Sequence, residues 1–417
     1  MSDIAGLPQP LMRSSAQFVA EAPGTLSSRI DLTVETTHRI DEVEAIWRAL
    51  AAPGIESPGQ SFDFIRLWVE AQQIAPADQL YVVGRLDGRP IALLPLHRRR
   101  EHGVRLYSWF PGAHVGCNAP LVDAARLAAL SPAQRAALWR GMLKGLDGAD
   151  LVYLKAVPTT AYGREGLFAE LGEVRPVETL YRSVFPNWET CNTTQRSKSR
   201  RKHDRQQGER LDALGTVSFE EITCRQAARP VLAEMFRQRA KRFVEMGVKD
   251  PFAPCGVARF YDESVAPDSK LDVRLHVLRL DGEIVAVRYS VAHGDRLFCL
   301  ISSMSDDPRM QGGSPGKQCL LRVMQTVFDA GFSMFDMGAG FTDEKRHWCN
   351  EQIGLGDHYL PLNLRGKIAV ALHGQWMTTR ARIKANKTLL DLAKRARGLV
   401  NRSAQPAAKP ADTDASD

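Results

Sequence analysis

The sequence lacks most of the features that sort a chain quickly by function. No run of about 18 apolar residues occurs, so nothing in it reads as a membrane span. The seven cysteines (Cys117, Cys191, Cys224, Cys255, Cys299, Cys319 and Cys349) stand far apart, with no CxxC pair and no His/Cys cluster. That spacing argues against a structural zinc site and a disulfide framework, and favours reduced thiols in a cytosolic protein. The opening residues, MSDIAGLPQPLMRSSAQ, carry no apolar core and do not read as a secretory signal; residues 1–28 are expected to be a disordered leader. No Ser-His-Asp order is evident, and Cys319 sits inside a predicted helix, where core is the simpler reading. No metal is called for.

Charge of one sign is also missing from most of the chain. The formal charge is +7 over 417 residues. Residues 365–402 hold ten Lys/Arg and one Asp, and the last fifteen hold one Lys and three Asp. Residues 1–364 are therefore neutral overall, which weakens a whole-protein nucleic-acid reading. The basic segment 365–402 is partly amphipathic. It reads either as a helix packed on the body with its basic side in water, or as peripheral contact with an anionic membrane. Residues 403–417 read as a disordered tail.

What is present is an order of elements that occurs twice. In the first half a strand over 29–36 precedes helices near 39–51 and 61–74. Then come strands LYVVGRL, PIALLPLHR and VRLYSWF, a helix starting at Ser131-Pro132, and a buried strand LVYLKAV. A helix near 161–171 and a strand near 174–185 close the half. In the second half TVSFEEI precedes helices over 226–246 and 256–265. Strands LDVRLHVLRL, EIVAVRYSVAH and RLFCLISSM follow, joined by Asp281-Gly282 and Gly294-Asp295 turns. A helix over 317–330 and the strand FSMFDMG complete it. Residues 85–93 (RLDGRPIAL) and 279–287 (RLDGEIVAV) share five of nine positions, which supports duplication. Domains are expected over 29–186 and 216–364, with a basic linker helix over 187–215.

One stretch of the second half, RMQGGSPGKQCLL from Arg309, carries chemistry. A Walker A loop needs G-x-x-x-x-G-K-S/T. Here only three residues separate Gly312 from Gly316, Gln318 stands where Ser/Thr would hold magnesium, and no acidic partner motif stands out. The loop instead follows three strands and leads directly into a helix. Its backbone N–H groups and the helix start suit an anion, glycine lets the backbone approach it, and Lys317 adds charge. The bland alternative is a plain strand-to-helix connection.

Arg309-x-x-Gly312-x-Ser314 resembles the pyrophosphate loop of GNAT acetyltransferases, usually Arg/Gln-x-x-Gly-x-Gly/Ala, with Ser314 departing at the last position. Ser314-Pro315-Gly316-Lys317, Phe335-Asp336-Met337-Gly338-Ala339-Gly340 and Lys345-x-x-Trp348 resemble the CelD/BcsL group of that superfamily. So do Ser197-Lys198-x-Arg200-Arg201 and Arg242-Phe243-x-x-x-Gly247. That group comprises bacterial acetyltransferase-like proteins linked to cellulose and exopolysaccharide biosynthesis, with a tandem-GNAT architecture shared with the FemABX peptidyltransferases. The resemblance runs from about residue 40 to 362. It implies an α/β (α+β) fold of two tandem GNAT-like domains, each a mixed, mainly antiparallel sheet flanked by helices. It also implies acetyl-CoA or another acyl-CoA as co-substrate, its pantetheine between strands 296–304 and 333–337 and its pyrophosphate on Arg309, Gly312, Gly313, Ser314, Gly316 and Lys317. The corresponding region of the first half, WFPGAHVGCNAPLVD, has no such loop. The first half is therefore expected to have lost the cofactor and to help form the acceptor site.

Acyl transfer needs a positioned nucleophile, a base for its proton and donors for the developing oxyanion. Asp336, at the end of a predicted buried strand, is the candidate base; a capping or anchoring role is the alternative. Lys345 pairs with a phosphate or an acidic acceptor, or is an exposed lysine in a mixed-charge run. Tyr289 and Trp348 stack on a sugar or donate to a leaving group, or belong to the core, and Arg242 is a candidate acceptor contact. Residues 196–210, with seven basic and two acidic residues, read as a helix that is either solvated or touches an anionic acceptor, the CoA 3′-phosphate or RNA. Few aromatics interleave there, against single-strand binding.

The reading is an acyl-CoA-dependent N- or O-acyltransferase acting on a polysaccharide precursor or related cell-envelope acceptor. It would be cytoplasmic or peripheral at the inner membrane, and linked to a polysaccharide synthase complex. The alternatives are a FemABX-like aminoacyl-tRNA-dependent transferase and a non-catalytic module of such a complex.

Overall fold

The computed structural model describes residues 12–15, 31–222 and 225–385. Of the expected disordered leader 1–28, residues 12–15 are described and form a strand paired with 33–36, contrary to that expectation; its other residues, and segment 386–417 with the end of the basic extension and the tail, lie outside the described residues. Among the described residues no helix is long and apolar enough to cross a membrane.

The first half runs β1 (Met12–Ser15), β2 (Leu32–Thr37), α1 (Glu44–Ala51), α2 (Phe62–Ala71), β3 (Gln79–Leu86), β4 (Arg89–Glu101), β5 (Val104–Ser108), β6 (Leu121–Val122), α3 (Ala124–Ala129), α4 (Pro132–Leu143), β7 (Leu151–Pro158), β8 (Thr160–Ala161), β9 (Arg164–Glu165) and β10 (Glu173–Val184). A short turn, α5 (Trp188–Thr190), and α6 (Lys198–Asp212) lead on. The second half runs β11 (Val217–Ile222), α7 (Arg225–Glu245), α8 (Cys255–Ser264), β12 (Asp272–Leu280), β13 (Glu283–His293), β14 (Arg296–Met304), α9 (Pro315–Asp329), β15 (Met334–Ala339), α10 (Asp343–Trp348) and β16 (Glu351–Pro361). Pro361 opens a second compact unit, in which α11 (Leu364–Ala385) covers the start of the expected basic extension.

Local chemistry explains several boundaries. Ser131 caps α4 with a full capping box to Gln134, and Pro132 stands at the first helical position, where its missing N–H costs nothing. The two RLDG segments form the same hairpin. Asp87-Gly88 and Asp281-Gly282 both take positive φ, as a tight primed turn requires. Arg85 reaches Glu35 at 3.0 Å, and Arg279 reaches Glu220 at 2.7 Å. Each aspartate also accepts a backbone N–H from the residue before the neighbouring strand, Asp31 before β2 or Thr216 before β11. The agreement of these contacts carries the duplication further than sequence identity does.

The two halves share one mainly antiparallel sheet, ordered β1-β2-β3-β4-β5-β7-β16-β10-β15-β14-β13-β12-β11, with β6 beside β4. The last strands are exchanged: β10 of the first half lies against β15 of the second, and β16 of the second lies beside β7 of the first. β10 and β16 pair antiparallel down the centre. One face carries a core drawn from both halves, with Trp47, Phe64, Phe260, Tyr261 and Tyr289 fully enclosed. The second half's other face is covered by α9 through Leu320, Val323, Met324 and Phe328, packed with Leu211, Phe335 and Trp348.

Two further expectations fail here. Residues 161–171 do not form a helix; they hold the small hairpin β8–β9 and turns. Tyr162, Gly163 and Gly166 all have positive φ, which breaks any helix. The sheet is also continuous through both halves, and β16 was not anticipated.

Candidate active site

The site grows from the point where β14 and β15 part. They pair in parallel only from Arg296–Phe298 to Met334–Asp336. β14 also carries a bulge, because Tyr289 faces Ile301 while Ser290 faces Cys299, leaving Leu300 as the extra residue. Such a bulge re-aims backbone groups out of the ladder. A cleft of about 500 Å³ opens beside it. The second half contributes Cys299, Leu300, Met337, Gly338, Ala339 and Lys345. The first half supplies the opposite wall: Gly112–Gly116, Lys155 and Ala156 of β7, and Val177 and Glu178 of β10.

The two halves differ at this point. β5 and β7 are parallel partners over Leu106–Tyr107 and Leu151–Val152, but β4 and β5 run in register without a bulge. No helix follows β5 directly. Its loop instead crosses toward the second half, where a Cβ on Gly116 would meet Gly338 Cα at 2.9 Å. His114 on this loop lies against Trp68 and Phe252, with centroids 5.1 and 5.7 Å away. Burial pushes its pKa down, so the ring is neutral at pH 7.

Under the cleft floor runs a buried ionic chain. Arg182 of β10 donates to Asp336 Oδ2 at 2.9 Å, to Glu56 Oε2 at 2.5 Å and to the Glu56 carbonyl at 2.7 Å. Asp336 Oδ1 accepts the Gly338 N–H at 2.7 Å, and Glu56 Oε1 accepts the Tyr162 N–H at 2.8 Å. Arg296 closes the chain at 3.4 Å from Glu56. Glu56, Arg182 and Asp336 are each under 5% exposed. Burial by itself would raise Glu56, but the charge and hydrogen bond of Arg182, the Tyr162 N–H and Arg296 bring it below its usual value. Two residues come from each half, so the chain ties the halves together beneath the reacting space.

The glycine stretch forms a turn of 3-10 helix (Pro308–Gly313) that hands over to α9 at Ser314, whose φ is +47°. Its rear is packed on α6. Gln207 donates to Ser314 Oγ at 2.9 Å, and Gln318 donates to the Asp204 carbonyl at 2.7 Å. A Cβ on Gly313 would stand 2.9 Å from Leu211 Cβ, and one on Gly316 would stand 2.9 Å from Met304 Sδ. Gly313 is therefore needed for close approach to α6, whereas at Gly316 the contact is the movable end of Met304. Pro315 and Gly316 open α9. Pro315 has no N–H, and the Lys317 and Gln318 N–H groups go to the Ser314 carbonyl at 2.9 and 3.1 Å, so the Gly316 N–H is the first-turn donor left over. The Lys317 ammonium has no hydrogen-bond or ion-pair partner among the described residues. Arg309, by contrast, is exposed and clamped by Asp307 at 2.6 Å, so its guanidinium is already engaged.

The other sequence candidates scatter. Lys345 is in the cleft, its ammonium donating to the carbonyls of Gly338 (3.1 Å) and Ala339 (2.6 Å), and burial lowers its pKa. Tyr289 is fully enclosed and donates to Ser264 Oγ at 2.8 Å; it is core and cannot stack on a sugar. Trp348 is 4% exposed, stacked on Trp188 and covered by Arg196, so it too is core. Arg242 stands exposed near the end of α7, outside the cleft lining. Glu56, Arg182, His114 and Glu178 were not singled out from sequence. The only local sign was a charge within an otherwise apolar strand, Arg182 in TLYRSVF.

Comparison with known proteins agrees with this geometry. Residues 198–346 match the family described as acetyltransferase (GNAT) domain. The GNAT match covers the cradle, the β14/β15 splay and Lys345. No curated protein matches the chain by sequence. Among solved structures, the chain is similar to the C-terminal domain of a protein assigned as a lysylphosphatidylglycerol synthetase from Agrobacterium fabrum. Identity is 13%, coverage 80% of this chain and 95% of that one, and the TM-score 0.50. FemX aligns at 11% identity over 73% of this chain and 98% of its own, with a TM-score of 0.47. A tandem GNAT protein of the clavulanic acid pathway aligns at 11% identity over 79% and 99%, with a TM-score of 0.44. The fold is a tandem of GNAT-like halves.

Proposed function

We propose that the chain transfers an acyl group from acyl-CoA to an amine or hydroxyl acceptor, with the donor on the second half and the acceptor reaching it along the wall built by the first. One observation carries this. In the half that matches the GNAT domain, a bulged, splayed strand pair lines the cleft and a glycine cradle stands at a helix start beside it, bridged by Arg288, which reaches Cys299 of the bulge at 4.0 Å and the Gly316 carbonyl at 3.4 Å; the other half lacks the cradle and the bulge. The pyrophosphate would lie on Gly312, Gly316 and Lys317, where the Gly316 N–H, the positive end of α9 and one unpaired ammonium favour an anion. Ser314 and Gly313 shape the loop. Arg309 would join only by leaving Asp307.

The acceptor nucleophile attacks the thioester carbonyl and gives its proton to His114, the neutral imidazole on the wall. Collapse breaks the C–S bond, and the thiolate takes up a proton as it leaves. Lys345 has three N–H bonds and spends two on carbonyls, leaving one for the developing oxyanion. Asp336 has both oxygens engaged, by Arg182 and by Gly338, so we give it an anchoring role and move the base to His114. Glu178, exposed on the cleft wall, favours an amine. A polysaccharide precursor or another cell-envelope acceptor fits that description.

A second reading has one observation in its favour. α6, which backs the cradle, exposes Lys198, Lys202, Arg205 and Arg210. That surface suits a large anionic donor such as an aminoacyl-tRNA. The exposed stripe of Leu364, Ile368, Leu372 and Trp376 on α11, with basic residues between, supports peripheral membrane contact as a companion proposal.

The test is release of free thiol from acetyl-CoA in the presence of a panel of amino sugars and amino acids. Wild type should release thiol with at least one acceptor, and His114→Gln should lose about a hundredfold of that rate. Absence of release with every acceptor, together with salt-sensitive binding of aminoacyl-tRNA, would replace this reading by the second.

A further inference from the structure

A second cavity lies in the first half, away from the acyl cleft and sharing no lining residue with it. It measures about 660 Å³. Its apolar side is Ile46, Leu50, Pro53 and Val122, and its polar side is Arg89, Arg126, Arg164 and Arg296. Asp123 is the one acid among the lining residues, and it is already spent on Arg126, at 3.1 Å, and on capping α3. Arg89 and Arg164 have no hydrogen-bond or ion-pair partner among the described residues.

The arginines are delivered by fixed structure. Arg164 follows the Tyr162-Gly163 turn of the β8–β9 hairpin. That turn is pinned by the Tyr162 N–H on Glu56 and by Gln60 donating to the Tyr162 hydroxyl at 2.7 Å. Arg89 is the residue after the Asp87-Gly88 turn. Arg296 is held through Nη1 by the Ile55 carbonyl at 2.7 Å and by Glu56, with Nε and Nη2 left beside the bare backbone of Gly54. Four guanidinium groups stand against two committed carboxylates, Asp123 on Arg126 and Glu56 shared by Arg296 and Arg182, which leaves a local excess of positive charge, and arginine suits phosphoryl oxygens through its planar fork. The apolar floor says the remainder of the ligand is not fully polar.

We infer that this cavity binds a phosphoryl group carried on a partly apolar body. The site does not depend on the acyl-transfer reading. It touches that reading at one place, since Arg296 shares Glu56 with Arg182.

The experiment is calorimetric titration of the full chain with inorganic phosphate and with hexyl phosphate. It is run on wild type, on Arg89→Ala/Arg164→Ala and on Lys317→Ala, the last removing the cradle's free cation. Hexyl phosphate should bind wild type at least about tenfold more tightly than inorganic phosphate, because the floor buries part of the alkyl chain. The arginine pair should weaken it by at least about tenfold, and Lys317→Ala should leave it unchanged. Phosphatidylglycerol vesicles, compared with phosphatidylcholine vesicles, decide the source: arginine-dependent binding to the former indicates a lipid headgroup, and its absence indicates a soluble phosphate ester. No saturable binding of hexyl phosphate, or binding lost in Lys317→Ala and kept in the arginine variant, would overturn the proposal. Circular dichroism of each variant checks that it is folded.

Discussion

Replacing Arg182 by methionine should do more damage than any surface change of equal size. The side chain is 4% exposed and holds two carboxylates, Glu56 and Asp336, each about as deeply buried. Methionine keeps most of the volume, so the packing loss is small. What remains is two buried carboxylates without their shared counter-charge. Breaking a buried pair in this way costs about 3–5 kcal/mol. The pH dependence should change too. In wild type Glu56 lies below its usual value, so its contribution is complete above the unfolded carboxyl range and is lost as pH falls through the folded value. In Arg182→Met burial acts on Glu56 against only the Tyr162 N–H and Arg296, and acidification should narrow the variant's deficit relative to wild type toward pH 5. Urea unfolding at pH 8 and pH 5 reads both effects. Adding Glu56→Gln should recover part of the loss, and the cycle isolates the pair. A loss below about 1 kcal/mol at pH 8, or a deficit relative to wild type that is larger at pH 5 than at pH 8, would refute the reasoning.

Other expectations follow from the same contacts. Gly313→Ala places a methyl 2.9 Å from Leu211 Cβ and 3.1 Å from its Cα, so α6 and the cradle must separate. We expect a loss of about 1–3 kcal/mol in urea unfolding and weaker acyl-CoA binding, whereas Gly312→Ala, with only Arg210 Cδ at 3.8 Å, should be close to silent in stability. His97 is half-buried and His358 buried, and loss of water holds both neutral, each pushed down to about 4. The unfolded chain takes up their protons first, so stability should fall as pH drops from about 6.5 toward 4, by up to about 3 kcal/mol for each ring. Asparagine in place of His358 should flatten that slope; a slope unchanged in the variant would contradict it.

Much of the architecture was legible because local signals agreed with one another. The Ser131-Pro132 start and the Asp-Gly turns each act through backbone conformation, which neighbouring residues specify. The order of elements in each half, and the glycine cradle, followed from them. Segment 161–171 misled because its apolar spacing suggested a helix, while Gly163 and Gly166 in fact serve turns with positive φ. Tyr289 misled for a different reason. It sits on a central strand buried on both faces, from Val285 to Val291, so no alternation marks which side chains reach a cleft. The exchange of β10 and β16, and the ionic chain below the cleft, join residues more than 100 positions apart. No local pattern encodes such pairings, and a lone arginine in an apolar strand was the only trace.

The central claim is that the donor's pyrophosphate rests on the cradle before α9. Calorimetric titration with acetyl-CoA of wild type beside Gly316→Asp tests it most directly. The added carboxylate would put a negative charge on the first turn of α9, where the phosphates are to lie, and its Cβ must displace the flexible end of Met304. The account predicts saturable binding in wild type and loss of at least about a hundredfold in affinity in the variant, with its thermal unfolding little changed. Equal binding by both proteins, or none by wild type at millimolar ligand, would contradict it.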